Sequence, residues 1–557
     1  MASSFLGAHA GPTSKERKYD RQLRLWAATG QQALEDARVL LVNSDGALGS
    51  SGVGVTGVAG VEALKNLVLP GVGGFTIVDP ETVTEADLGE VSLGKSRADE
   101  TCRLLRELNP DVQGYSYSKP ISSLLKDDDF LPRYNLVVIS GPTKRSTLDP
   151  LIQKCQGLDI PVLYTHSVGF TASFSLQLPK EFPIVETHPD PESTQDLRLL
   201  NPWPELAAAA KALGDISILD DHQHGHIPYI FILLHFLEHW KQTHGGNPPA
   251  NYKEKTEFRA LVRSGARTDN AEGGEENFDE AAAAVVKTIS PFSLRSSIRE
   301  IFEMEQCQRL TARSADFWVI AAAIHAFYTR HDLLPLPGSL PDMKAQSADY
   351  VALQNLYKDK ARKDVEEVTA TVRQLEAQLG RTRPILDREV EVFCKNAAHI
   401  KVVRGREIPQ LNWPVDKGTL KALRSSLDMP DSTASFFVAH QILDAVVNDI
   451  QESWQGGHAQ SIDDDALWAS HEQRVLETLV RDEETPLSEE AVAGIKNAIQ
   501  EVRRAQGGEL HNISSLVGGL VAQEALKVLT RQYVPLDNTC VYDGAKGGAR
   551  CCVCDGH

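Results

Sequence analysis

The sequence predicts an α/β, Rossmann-like chain with a large, mainly helical insertion, completed by its C-terminal segment. Three observations predict it. A short apolar run, Arg38 to Asn43 (RVLLVN), leads into a Gly-rich stretch and a helix, and is followed by a second apolar run, FTIVD, that ends on Asp79. The strand and helix alternation continues to about residue 185 and then gives way to charged helical segments. Near the end, SSLVGGLVAQEALKVLT (514–530) returns as an apolar helix before YVPL and CVYD, a strand pair around Asp537-Asn538.

Taken in order, residues 15–35 read as a helix broken near Gly30, because Tyr19, Leu23 and Trp26 recur at helical spacing between charges. RVLLVN suits a buried parallel strand. VEALKNLVL forms a helix that ends before Pro70-Gly71. Helix 95–108, strand 135–140, helix 146–156 and strand 161–165 extend the pattern. In the insertion, Ile227 to Trp240, Phe278 to Lys287 and Ala348 to Leu379 read as helices, and Gly265 to Glu276 as a mobile polar loop. The expected domains are 1–185, an inserted domain 186–507 and a return over 508–557.

At 557 residues the chain exceeds what one core organises, and roughly two to four domains are expected. Ile227 to Trp240 is the nearest approach to a membrane span and is interrupted by His235, Glu238 and His239. With no signal-like start, the expectation is a soluble protein of the cytoplasm or nucleus. Eight Cys in so long a chain imply a reducing compartment, with Cys102, Cys155, Cys307 and Cys394 packed as small hydrophobes. A net charge of −19 argues against nucleic acid and favours basic protein partners.

Gly52, Gly54 and Gly57 fit G-x-G-x-x-G, whose glycines let backbone amides approach a pyrophosphate at a helix N-terminus. The spacing is wrong for that work, because in a working fingerprint the first Gly follows the strand almost directly, and SDGALGSSG intervenes here. Asp79 could accept hydrogen bonds from ribose hydroxyls, or could end the strand in a turn before Pro80. Cys551, Cys552, Cys554 and His557 are too crowded for a closed zinc site, and His222, His224 and His226 read as a solvated helix entry, so no metal site is expected.

KYDRQLRLW (18–26), EALKNLVLPGVGGFTIVD (62–79), LGKSRA (93–98) and LVGGLVAQEALKVLTRQYVPLDNT (516–539) resemble the subunits of enzymes that adenylate ubiquitin-like modifiers. ETHPDPESTQDLRLLNPWPEL (186–206), NYKEKTEFRALVR (251–263), LQNLYKDKARKD (353–364) and CKNAAHIKVVRGR (394–406) resemble, more narrowly, the non-catalytic regulatory subunit of the heterodimer that activates the cullin modifier in neddylation. The resemblance implies a pseudo-adenylation domain and an insertion that helps to hold the modifier. It also implies that ATP and Mg²⁺ are bound by a catalytic partner subunit and not by this chain alone.

Within that resemblance, the D-N-x-x-A-R element of catalytic members is replaced by STLDPLIQKC, with Asp149-Pro150 and without the Asn and Arg. No Cys stands in a Pro-x-Cys-Thr setting. Arg21 matches the basic residue that reaches the partner's ATP phosphates, with Arg24 and Lys18 as alternatives on the same helix. Lys95 falls where catalytic halves place a phosphate-contacting lysine and is expected here to be a vestige or a surface lysine. Three segments depart from the pattern: the surplus at 44–59, the shortened 85–93 region and the tail 544–557. Two other readings stay open: an independent NAD-dependent oxidoreductase using Gly52, Gly54, Gly57 and Asp79, and a purely structural scaffold.

Overall fold

The computed structural model describes residues 13–44, 57–87, 93–190, 196–268, 274–409, 417–429, 431–455, 464–480 and 487–552. They divide into two compact units, one made of Met1–Ile184 with Val402–His557 and the other of Val185–Lys401. Residues 402–507, expected in the insertion, therefore belong with the first unit.

The first unit is built on an eight-stranded sheet. Its strands are β1 (Arg38–Val42), β2 (Gly74–Val78), β3 (Gln113–Tyr117), β4 (Leu136–Ser140), β5 (Val162–Val168), β6 (Thr171–Gln177), β9 (Thr539–Asp543) and β10 (Gly548–Cys552), in the order β10-β9-β6-β5-β4-β1-β2-β3. β7 (Phe182–Val185) and β8 (Ile400–Val403) form a separate two-stranded sheet where the chain passes between units. Strands β3-β2-β1-β4-β5 are parallel, and β6, β9 and β10 add antiparallel pairs. β1, β2, β4 and β5 are almost wholly buried, as the parallel strands of a sheet covered on both faces are.

Several expectations change in detail. The N-terminal helix Asp20–Asp36 breaks at Trp26 and Ala27, where Ala27 takes φ 56°, and not at Gly30. Gln532 Nε2 donates to the Trp26 carbonyl at 3.0 Å, satisfying an acceptor that the break frees. The segment YVPL is not a strand: Pro535 has no N–H, and the Leu536 N–H is taken by the Glu524 carboxylate at 2.7 Å. β9 pairs instead with β10, so residues 548–552 of the unusual tail form an edge strand.

The apolar helix His511–Thr530 has the length and hydropathy of a membrane span, more so than Ile227 to Trp240, but 61% of its apolar window is buried inside the fold. It lies against the helix Val58–Val68. A Cβ at Gly518 would stand 2.5 Å from Glu62 Cβ and 3.0 Å from the Ala59 carbonyl, so this glycine is what permits the close approach.

Residues 402–507 join the first unit through the helix Ala434–Gln455, whose apolar face (Phe437, Ile442, Val446, Ile450) shares a core with Val168 and Val541 of the sheet. His440 ties it down. Its Nε2 is 3.0 Å from Thr171 Oγ1 and its Nδ1 is 2.8 Å from Ser173 Oγ. Thr171 Oγ1 already donates to the Val168 carbonyl, so Nε2–H must donate to Thr171, and Ser173 donates to Nδ1. Burial first, and then the neighbouring His166, stacked at 5.6 Å, hold His440 well below the ordinary imidazole value. His440 is therefore neutral in the folded chain and titrates normally when unfolded. Its contribution to stability is complete above about pH 6.5 and is lost as pH falls from there towards the depressed folded value. Urea titrations between pH 7 and 5 should show this as a slope that His440→Asn lowers by about one proton.

In the second unit, helices Tyr229–Thr243, Tyr252–Ser264, Glu276–Thr288 and Ser347–Leu379 enclose a core around Phe258, Phe278, Leu233 and Tyr357. The expected mobile stretch 265–276 is anchored at its described end. Glu275 is buried and accepts from the Arg267 amide at 2.8 Å, with His224 Nδ1 at 2.7 Å. His224 is thus a core histidine rather than part of a solvated entry, while His222 and His226 stack at the surface with centroids 4.4 Å apart.

Candidate functional site

In an open parallel sheet, ligands sit beyond the carboxyl ends of the strands where the strand order reverses, which here lies between β1 and β4. Asn43 follows β1, Asp79 follows β2, Ser140 ends β4, and the N-terminus of the helix Val58–Val68 points to the same place. Gly57 caps that helix in the left-handed conformation, at φ 66°, and a side chain there would strike Asn43. Gly60, outside the G-x-G-x-x-G match, presses against Ser140 and Leu41 and makes the close helix-to-strand contact. Gly52 and Gly54 lie outside the described residues.

Asp79 does not offer its carboxylate to a ribose. It is fully buried and takes a fork from Arg97, Nε to Oδ2 at 2.7 Å and Nη2 to Oδ1 at 3.2 Å. Asn43 Nδ2 adds a bond at 2.9 Å and the Glu81 amide another at 3.0 Å. Arg97 also reaches Asp87 Oδ1 at 3.4 Å. Its own side chain is only 9% exposed. The result is a buried ion-paired bridge from β1 and β2 to the helix Arg97–Leu108.

The helix N-terminus is also engaged. Glu509 accepts from the Val58 amide at 2.6 Å and the Ala59 amide at 3.4 Å. These first-turn amides have no partner within the helix and, with the helix dipole, would be the anchor for a nucleotide phosphate. A carboxylate of the chain itself stands there, so the described residues do not fit a nucleotide's phosphates: the amides are used and a second anion would meet like charge.

Lys95, with a side chain 60% exposed, pairs with Glu100 at 3.5 Å and lies at the surface; the inward cation of LGKSRA is Arg97. STLDPLIQKC falls within the helix Arg145–Gly157. Cys102, Cys155, Cys307, Cys394 and Cys540 are buried and form no disulfide among the described residues. Burial pushes the Cys155 thiol up to about 12 and Cys307 up to about 11, and raises Cys102 and Cys394, so none of these four is poised as a thiolate nucleophile. Among the described residues no group of His, Cys, Asp and Glu is arranged to hold a metal ion.

On the N-terminal helices the cations separate clearly. Lys15 pairs with Glu35, Lys18 with Asp111 at 2.6 Å, and Arg24 with Asp20 at 2.9 Å. Arg21 is exposed and has no ion-pair or hydrogen-bond partner among the described residues. Its helix is anchored just before it: Tyr19 is buried, and its hydroxyl accepts from Asn109 Nδ2 at 3.1 Å. Arg97 and Glu509 were missed by sequence reasoning. Arg97 lies in LGKSRA but Lys95 drew the attention there, and Glu509 lies in no motif and is 451 residues from the amide it binds.

A family model described as the ThiF family matches residues 19–550. The chain is 35% identical over 550 residues to the NEDD8-activating enzyme E1 regulatory subunit of Danio rerio, spanning 95% of this chain and 97% of that one. It is 33% identical over 544 residues to the Nedd8-activating enzyme E1 regulatory subunit of Drosophila melanogaster, covering 95% and 96%. It is 32% identical over 541 residues to the NEDD8-activating enzyme E1 regulatory subunit AXL of Arabidopsis thaliana, covering 95% and 97%. With its ends of strand closed by Arg97 and Glu509 and its similarity running the full length of these relatives, the chain belongs to the ThiF family and, within it, to the NEDD8-activating enzyme E1 regulatory subunits.

Proposed function

We propose that this chain acts as the regulatory half of a heterodimer whose catalytic subunit adenylates the C-terminus of NEDD8 and then takes it as a thioester, upstream of cullin modification. ATP with Mg²⁺, held by the catalytic subunit, supplies the adenylyl group and releases pyrophosphate. The observation that carries this division of labour is the Glu509 carboxylate on the Val58 and Ala59 amides, because a chain that used its own crevice for ATP would need those amides for phosphate. The four cysteines whose thiols burial raises point the same way for the thioester step.

Arg21 is this chain's contribution to the chemistry. A guanidinium stays charged and can grip phosphate oxygens in a fork, and this one is not spent on an internal partner among the described residues. It stabilises charge on the partner's nucleotide, so its effect falls on the rate of adenylation rather than on assembly. ATP–pyrophosphate exchange driven by NEDD8 tests the reading. Exchange is expected only when the chain and a catalytic subunit are combined; exchange by this chain alone would sink it.

A further inference from the structure

The second unit contains a cavity of about 500 Å³ whose lining includes Lys287, Arg295, Lys395 and His399. Lys287 and Lys395 are exposed and have no ion-pair or hydrogen-bond partner among the described residues, and Arg295 makes one bond, from Nη1 to the Ala398 carbonyl at 3.3 Å. Among the described residues the only carboxylate in the lining, Asp196, is paired with Arg198 at 2.8 Å. In a chain of net charge −19 this is a local reversal of sign. Phe292, Pro291, Ile298 and Pro335 supply an apolar wall, and the prolines hold it without needing backbone partners.

A second hollow of about 660 Å³ adjoins the first, since Pro337, Ser339 and Lys395 line both. It adds Lys358 and Arg362 against Glu366 and Glu391. Two neighbouring hollows that share Lys395 offer successive subsites, which favours a peptide with several side chains over a compact metabolite.

We propose that the inserted unit carries a docking groove for an extended, acidic peptide segment of a partner protein. Lys287, Arg295 and Lys395 take its carboxylates, and Phe292 with Pro335 receives an apolar side chain beside them. Preformed apolar walls and uncommitted cations lower the cost of ordering such a segment. His399 reports on occupancy. Burial first, and then Arg295 and Lys401 against the opposing Glu186, hold its imidazole below the ordinary value, so an anion in the groove must raise it.

The test uses the full chain and a fluorescein-labelled peptide of repeated Leu-Asp-Glu, with a Leu-Asn-Gln peptide as the uncharged match. Anisotropy should show saturable, salt-sensitive binding, weakened ~10-fold or more by Arg295→Glu with Lys395→Glu and by the uncharged peptide. The His399 titration midpoint, followed by NMR, should rise with the acidic peptide. Lys395→Gln serves if the double variant fails to fold, and should weaken binding in the same direction. Equal binding by the variants, or by the uncharged peptide, overturns the proposal. So does displacement of the peptide by inorganic phosphate or free glutamate at the peptide's own concentration, which would make the cavity a small-anion site. None of these outcomes bears on adenylation, so this groove and the proposed function fail independently.

Discussion

Arg97→Ala should destabilise the first unit by about 3–5 kcal/mol, the usual cost of removing one partner from a buried ion pair. Asp79 is fully buried and takes its shortest bond, and its only bonds from a cation among the described residues, from this guanidinium. What would remain, Asn43 Nδ2 and the Glu81 amide, are neutral donors that cannot offset a buried charge. Removing the charge as well should restore most of the loss, because Asp79 is then neutral and Asp87 keeps its bonds from the Thr84 amide and hydroxyl, both 2.8 Å. Asp79→Asn with Arg97→Met is therefore expected to unfold near the parent's urea midpoint, with Arg97→Ala well below it. If the single and double variants fall together, the bridge is a packing feature and the electrostatic account of the closed crevice is wrong.

The second large effect is on rate. Arg21→Ala in the heterodimer should lower NEDD8-driven ATP–pyrophosphate exchange ~100-fold or more, the scale seen when one preorganised donor to developing charge is lost. Stability and assembly should not move, since Arg21 is exposed and bonds to none of the described residues. Arg24→Ala is the matched control. Arg24 already pairs with Asp20 on the helix surface, an interaction worth about 0–1 kcal/mol, and its loss should leave exchange within a few-fold of the parent. An unchanged rate for Arg21→Ala, with the heterodimer intact, would reduce the chain to a scaffold.

How far the fold could be read from the sequence depended on whether the decisive contacts were local. β1 and β4 declare themselves as Val, Leu and Ile runs and β2 and β5 as shorter apolar stretches, all placed within a few residues. β6 (TASFSLQ) was not anticipated although every residue in it is buried, because its hydroxyls are matched only by distant partners, Ser173 by His440 and Ser175 by Thr539. β3 (QGYSY) is a partly exposed, polar edge strand and gives no apolar signal. Residues 402–507 read only as part of a mainly helical insertion, and an amphipathic helix face does not name what it packs on. Only the contact with β6 and β9 assigns Ala434–Gln455 to the sheet.

The site divides in the same way. Arg21 could be singled out from its motif, and Asp79 from its place at a strand end. That Asp79 faces inward required Arg97, and that the helix N-terminus is engaged required Glu509, both fixed by tertiary contacts without local pattern. Of the G-x-G-x-x-G glycines, Gly52 and Gly54 lie outside the described residues, and Gly60, the glycine packed against Ser140 and Leu41, has no place in that pattern.

The central claim is that this chain's own crevice is closed and that the nucleotide belongs to the partner. Calorimetric titration of Mg²⁺–ATP into the isolated chain tests it most directly. No saturable heat is expected up to millimolar nucleotide, with binding appearing only when the catalytic subunit is present. Micromolar binding by the isolated chain, lost when Gly57→Val blocks the approach to Asn43, would contradict it.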